Sequence, residues 1–361
     1  MMGAVEASSN LRGIMGIPFT QQFRIGRYLF GQKLAGRKRY PLVLMLEPLF
    51  RCNLSCAGCG RIDYPEEVLN RFLSMEECLS AVEECGAPVV SIAGGEPLIH
   101  REMPQIVAAM IQRKKFIYLC TNGLLLQSQL KQYTPSSYLT ISVHLDGNRE
   151  RHDALTGRQG VYDQAVAAIK LARSKGFRVT INCTLYDGVT AQEAAQHFDS
   201  VMSLGVEGVT LSPGYHYSRA PQDEIFLKST QMKRLMRDIF KLNQGRKWRF
   251  NHSGLFLDFL AGNQSYHCTP WGNPTRNIFG WQKPCYVLVG EGYAPSFNAL
   301  MEATDWDGYG RGRNPKCAHC MMHSGFEPTA VNDTLAHPFK ALSVHLLGPR
   351  TEGLMAREPD P

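Results

Sequence analysis

Long hydrophobic runs are what this sequence most plainly lacks. No apolar stretch approaches the roughly 18 residues of a membrane-crossing helix. The N-terminus also lacks the apolar core of a signal peptide, so a cytoplasmic chain is expected. Cysteine is too scarce for a disulfide framework: eleven in 361 residues, clustered rather than spread, point to metal and a reducing compartment. Charge of one sign is weak as well. A net +7 suits an anionic surface or phosphates without specifying either, and no nucleic-acid partner is expected. The hydrophobic fraction of 44 % and charged fraction of 20 % are those of a globular enzyme. The length suits one large domain or a barrel with an appendage.

What is there is organised around Cys52-Asn53-Leu54-Ser55-Cys56-Ala57-Gly58-Cys59. Thiolates are soft ligands that select iron–sulfur clusters, copper(I) or zinc. A [4Fe–4S] cluster ordinarily takes four cysteines; this run offers three, which leaves one iron open to a non-protein ligand. Zinc usually wants two separated pairs. The run follows Pro41–Pro48, an apolar segment bounded by prolines that reads as a buried strand. The cysteines therefore fall on a loop at a strand's C-terminal end, the face where barrel active sites collect.

From residue 41 to about 240, short β-rich runs (42–46, 89–93, 116–120, 138–143, 178–185, 208–212) alternate with helical ones (75–85, 102–113, 125–132, 162–174, 191–204, 230–242). Ser74 suits an N-cap, and Gly86, Gly176 and Gly205 sit where helices should stop. Strand alternating with helix six times means parallel strands joined by crossovers, and a partial (β/α)6 barrel is the economical closure. Four segments are expected: a tail and basic amphipathic segment over 1–40, the α/β barrel over 41–244, a cysteine- and aromatic-rich C-terminal domain over 245–335, and a polar tail over 336–361. Within the first, residues 1–17 read as a loose tail. Phe19, Phe23, Tyr28, Leu29, Phe30 and Leu34 then interleave with Arg24, Arg27, Lys33, Arg37, Lys38 and Arg39. Such a segment either lies in a membrane interface or packs on the barrel and snorkels its cations.

The second motif, Ala93-Gly94-Gly95-Glu96-Pro97, ends the second strand-like run. Paired glycines let backbone approach a ligand, and a carboxylate can take the charge of an ammonium. Near the C-terminus, Cys268, Gly280–Cys285 and Cys317-Ala318-His319-Cys320 gather four more thiols. They would close an iron–sulfur site, bind zinc, or remain free thiols facing a substrate.

The spacing C-x3-C-x2-C after a first strand, followed one βα unit later by Gly-Gly-Glu-Pro, resembles the radical S-adenosylmethionine (SAM) superfamily. The resemblance implies that Cys52, Cys56 and Cys59 hold a [4Fe–4S] cluster whose open iron chelates SAM. It implies further that the Gly94–Pro97 backbone receives the methionine amino group and that Thr121 and Asn122 belong to the turn after the third strand. Ser142 and Asn182 fall where members bind the SAM carboxylate and ribose, and Arg158 either reaches that carboxylate or is an exposed helix-end arginine. The C-terminal cysteines resemble an auxiliary-cluster pattern. Strings such as Gly36–Leu54 and Thr269–Arg276 resemble the hopanoid-biosynthesis branch. That implies diploptene as substrate, a reducing donor such as flavodoxin or ferredoxin, and peripheral contact with the inner face of the membrane. The branch implies an adenosyl group transferred to an alkene, with Cys120 either donating a hydrogen atom to the resulting radical or serving as a small buried residue. The aromatic-rich part after residue 245 is expected to line the substrate cavity. A different outcome, hydrogen abstraction from a peptide, suits the auxiliary-cluster pattern.

Overall fold

The computed structural model describes residues 17–60, 63–215, 224–243 and 246–357. The tail expected over 1–17 lies outside them apart from Ile17, as do the last four residues of the C-terminal tail. Six parallel strands alternate with helices: β1 (Val43–Glu47), β2 (Val89–Ile92), β3 (Phe116–Thr121), β4 (Leu139–His144), β5 (Arg178–Leu185) and β6 (Val209–Pro213). They lie in the order β6-β5-β4-β3-β2-β1, the partial (β/α)6 barrel expected from the sequence. Local signals set the connections. Ser74 and Glu77 close a reciprocal capping box on the Met75–Cys85 helix, which Gly86 ends in the left-handed conformation (φ +69°). Thr190 and Glu193 repeat the box on Ala191–Ser203. The helix expected over 125–132 is instead a short α-turn, Leu126–Gln129, running into a 3-10 turn, Leu130–Gln132.

Strand side chains alternate between two environments, as the pleat requires. Leu44, Leu46, Val90, Ile92, Ile117, Leu119, Ile141, Val143, Ile181 and Leu211 point outward into the core beneath the helices. The intervening residues, among them Val43, Met45, Ser91, Tyr118, Cys120, Ser142, Asn182 and Ser212, line one internal cavity. Side chains from all six strands meeting in a single cavity mark a sheet curled around its concave face. The register sets neighbours within it: Cys120 pairs with Ser142, and Asn182 with Thr210.

The C-terminal part is an extension that continues the barrel's own sheet. Three further strands, β7 (Thr275–Asn277), β8 (Gly280–Gln282) and β9 (Tyr293–Ala294), extend the same sheet beyond β1, with β7 parallel to β1 and the last two antiparallel. At the far edge Phe250 bridges to Val209, and Trp248 and Phe250 meet Phe198 edge-on at 5.3 and 5.7 Å. Most late aromatics thus complete the barrel's core, where Trp281, Phe256, Phe259 and Phe326 are buried; the four tryptophans do not line the cavity, whereas Tyr286, His252 and His323 of this part do. Within the segment expected as a polar tail over 336–361, Pro338–Leu347 forms a helix. A helix runs His323–Ala336 through Pro328 and buries Phe326, Pro328 and Ala330. A methyl group on Gly272 would overlap the Pro328 ring, so only glycine lets the neighbouring 3-10 turn approach.

Before β1, helix α1 (Phe19–Leu34) packs Leu29 into a small cluster with Tyr40 and Leu42. Gln21, also buried, donates to the Tyr118 hydroxyl of β3 at 3.1 Å. α1 therefore meets the barrel at the N-terminal end of its strands, opposite the cysteine loop.

Candidate active site

The cysteine loop and the glycine turn are stitched together by backbone. Gly95 N–H donates to the Leu49 carbonyl and Glu96 N–H to that of Arg51, both at 2.9 Å. Gly94 sits at φ +104°, and a methyl group on Gly95 would overlap the Arg51 carbonyl oxygen. Both glycines are thus required by the close approach of the two segments as well as by any ligand.

Glu96 has a structural task that the sequence did not show. Its carboxylate is buried and accepts from Leu98 N–H at 3.0 Å, Thr121 Oγ1 at 2.8 Å and Asn122 N–H at 2.8 Å. Both oxygens are engaged in fixing the turn after β3, so the side chain braces the site. Asn122, held by that brace, donates Nδ2–H to Asn53 Oδ1 at 2.7 Å and lies 3.9 Å from the Cys52 sulfur.

Cys52, Cys56 and Cys59 stand half-buried on one loop. Burial, with nearby Glu96 and Cys59, pushes the Cys52 thiol up to about 11. Burial and the other two cysteines raise Cys56 further. Such thiols ionise when a cation compensates them. Among the described residues no three His, Cys, Asp or Glu converge tightly enough for a single metal ion. Three thiols within eight residues are the donor set of a cluster that keeps one iron open.

The cavity beneath this loop has a volume of about 390 Å³, within the usual range for a small-molecule site. Gly58, Gly94, Cys120, Ser142 and Asn182 reach it, while Gly95, Glu96, Pro97, Thr121 and Asn122 form the turns behind its rim. Arg158 is exposed and does not line it. Cys120 lies in the middle of the cavity wall, 3.6 Å from the Ser91 hydroxyl. Burial raises its pKa, so the sulfur keeps its hydrogen. Two residues earlier on the strand, roughly 7 Å lower, Tyr118 meets Gln21 of α1. The floor is apolar, with Ile17, Ile25, Leu42, Val43, Val89 and Val331.

One wall is polar and was not foreseen. Ser212 of β6 bonds His323 Nδ1 at 2.9 Å, and Glu327 bonds His252 Nδ1 at 3.0 Å. Burial, then His252 beside it, pushes His323 down to about 3, so it stays neutral. The four-residue spacing of His323 and Glu327 on one helix face was the available signal.

The four late cysteines come together. Cys268, Cys285, Cys317 and Cys320 border one small hollow with no polar lining, beside Tyr215, Tyr309 and Arg311. Four thiols so gathered would hold an iron–sulfur cluster or a zinc ion.

Residues 46–201 match the sequence profile of the radical SAM superfamily, and residues 209–344 match that of a family described as "Domain of unknown function (DUF3463)". The Fe-coproporphyrin III synthase of Methanosarcina barkeri is 29 % identical over 37 % of this chain and 35 % of its own length. The GTP 3',8-cyclase of Campylobacter lari is 25 % identical over 55 % of this chain and 63 % of its own. In both cases the chain spans less than two thirds of the relative's length. Among solved structures, Streptococcus suis SuiB bound to precursor peptide SuiA superposes with a TM-score of 0.64 at 17 % identity, covering 82 % of this chain and 73 % of that one. Native anSMEcpe with bound AdoMet gives 0.54 at 15 % identity, covering 85 % and 100 %. These likenesses extend over the C-terminal part as well as the barrel.

Proposed function

We propose that this chain, a radical SAM enzyme whose cofactors are a [4Fe–4S] cluster and S-adenosylmethionine, adds an adenosyl group to the alkene of a rigid apolar polycycle. Diploptene is the substrate we favour, as in adenosylhopane synthase, which the sequence resembles. The observation that carries this reading is the cavity: a partly open space with an apolar floor and one polar wall, running from the glycine turn, past a protonated thiol, to α1. When bound, the cofactor pair supplies a 5'-deoxyadenosyl radical, which either adds to an alkene or abstracts hydrogen according to what is held near it.

The chain's own residues would then do three things. Cys52, Cys56 and Cys59 hold the cluster while the braced turn Thr121–Gly123 and the Gly94 backbone seat SAM above the cavity, with Ser142 and Asn182 beneath. Apolar side chains on β1 and β2 hold the polycycle with its alkene uppermost and exclude water. Cys120 gives its sulfur-bound hydrogen to the tertiary carbon radical left on the substrate; the resulting thiyl needs one electron and one proton to return. Cys268, Cys285, Cys317 and Cys320 would hold an auxiliary iron–sulfur cluster able to relay that electron, supplied by a flavodoxin- or ferredoxin-like donor.

The fold likeness to SuiB with its precursor peptide favours a second reading, hydrogen abstraction from a peptide. Taken alone, the comparisons support it better than the first. Incubating reduced, reconstituted protein with SAM and diploptene separates them: a covalent adenosyl product supports addition. Free 5'-deoxyadenosine with no adduct would reject it.

A further inference from the structure

α1 has two apolar faces where a surface helix needs one. At about 100° per residue, Gln21, Ile25, Tyr28 and Leu29 fall on the side that meets the barrel. On the opposite side, Phe19, Phe23, Phe30 and Leu34 fall within about 60° of arc and are 79 %, 65 %, 62 % and 73 % exposed. Arg27 and Lys33, both exposed, flank this stripe, and exposed Arg37, Lys38 and Arg39 follow the helix. The helix contains no acidic residue. The inner face of the same helix, through Gln21 and Ile25, walls the apolar cavity.

We propose that the outer face of α1 docks on an anionic phospholipid bilayer, with the phenylalanines in the acyl boundary and the cations among the headgroups. Three large exposed apolar rings in one line, edged by positive charge of which, among the described residues, only Arg39 is paired with an acid, Asp307 at 3.2 Å, match that surface and no aqueous one. Docking places the α1 end of the cavity against lipid, so an apolar substrate passes between bilayer and barrel beside Ile25 without crossing water. Docking by α1 holds whichever reaction the site runs.

The test is co-sedimentation of the full-length holoenzyme with phosphatidylglycerol/phosphatidylethanolamine vesicles and with phosphatidylcholine vesicles. Wild type should bind the anionic vesicles roughly tenfold more tightly, and added salt should erase the preference. Phe23→Ser with Phe30→Ser should lower binding about tenfold or more on both. Arg27→Glu with Lys33→Glu should remove only the anionic preference. SAM cleavage without substrate checks that each variant is folded; should the serine pair fail, the charge pair decides alone. Equal binding to both vesicle types, or a serine pair that binds like wild type, would overturn the proposal. So would a concentration-dependent dimer that the serine pair dissolves while vesicles capture nothing, since the stripe would then meet a second copy of this chain.

Discussion

The molecule gathers cysteine in two ways. Cys52, Cys56 and Cys59 sit within one loop, on the rim of the cavity, and number one fewer than a closed cluster requires. Cys268, Cys285, Cys317 and Cys320 are brought together from along fifty-odd residues to border a small hollow next to the cavity, with Tyr215 and Val287 lining both. An incomplete, local set at an accessible rim would leave a coordination site for a ligand, while a complete, nonlocal set would serve electron relay or structure. Position and count, more than residue type, separate the two roles.

The sharpest break of this contrast is in the first set. Replacing any one of Cys52, Cys56 or Cys59 with Ala should abolish SAM cleavage while leaving the circular dichroism spectrum unchanged, because the loop carries little of the core. Methionine release at the parental rate from any of the three would end the assignment.

A smaller but more informative effect belongs to Cys120, a thiol in neither set. Thiolates bound to iron carry no hydrogen, so if both sets are metallated Cys120 is the available donor in the cavity wall. Cys120→Ala should still cleave SAM and form the carbon–carbon bond, yet yield unsaturated, dimeric or solvent-quenched product and an altered stereochemical ratio. Product of wild-type yield and configuration would dismiss the thiol.

Next comes the second set. Cys285→Ala should drop iron from about eight to about four per chain and lower the melting temperature, while SAM cleavage by the first cluster survives. An unchanged content near four irons in wild type, without zinc, would return those thiols to the list of hydrogen donors.

These differences also explain what the sequence disclosed. The barrel was legible because parallel strands buried on both faces read as short apolar runs, and the Met75–Cys85 helix begins at a capping box and ends at glycine. The first cysteine set was legible because it is local. That Ser142 and Asn182 face the cavity follows from alternation along a strand. The bracing role of Glu96 was not legible because its partners, Thr121 and Asn122, lie 25 and 26 residues away; only the folded chain shows the carboxylate engaged. Only part of the late aromatic set, Tyr286 among it, reaches the cavity, because composition reports burial but not which side of the sheet is buried. The double-sided nature of α1 needed the Gln21–Tyr118 contact to show which face turns inward.

Glu96 carries the smallest of the expected effects and separates positioning from ligation. In Glu96→Gln the amide nitrogen replaces one acceptor, so either Asn122 N–H or the pair Leu98 N–H and Thr121 Oγ1–H loses its partner. Removing one such buried bond costs about 1–3 kcal/mol. Iron content should stay at the wild-type value, because no cysteine is altered, while SAM binds several-fold more weakly through the loosened Thr121–Gly123 turn. The pH dependence gives an independent check. Burial raises the carboxyl of Glu96 above its ordinary value, against the hydrogen bonds from Asn122, Leu98 and Thr121 that lower it. A group raised on folding lends stability that is fully present below its unfolded pKa and is lost as pH rises through the folded one. Wild type should therefore lose stability from about pH 4.3 up to the raised value, and Glu96→Gln, neutral throughout, should not. The stability gap between the two proteins is then widest in acid and narrows toward neutrality in thermal unfolding under anaerobic conditions. A gap that instead widens with pH would mean that the carboxylate is held below its ordinary value, and that its three hydrogen bonds outweigh the cost of its burial.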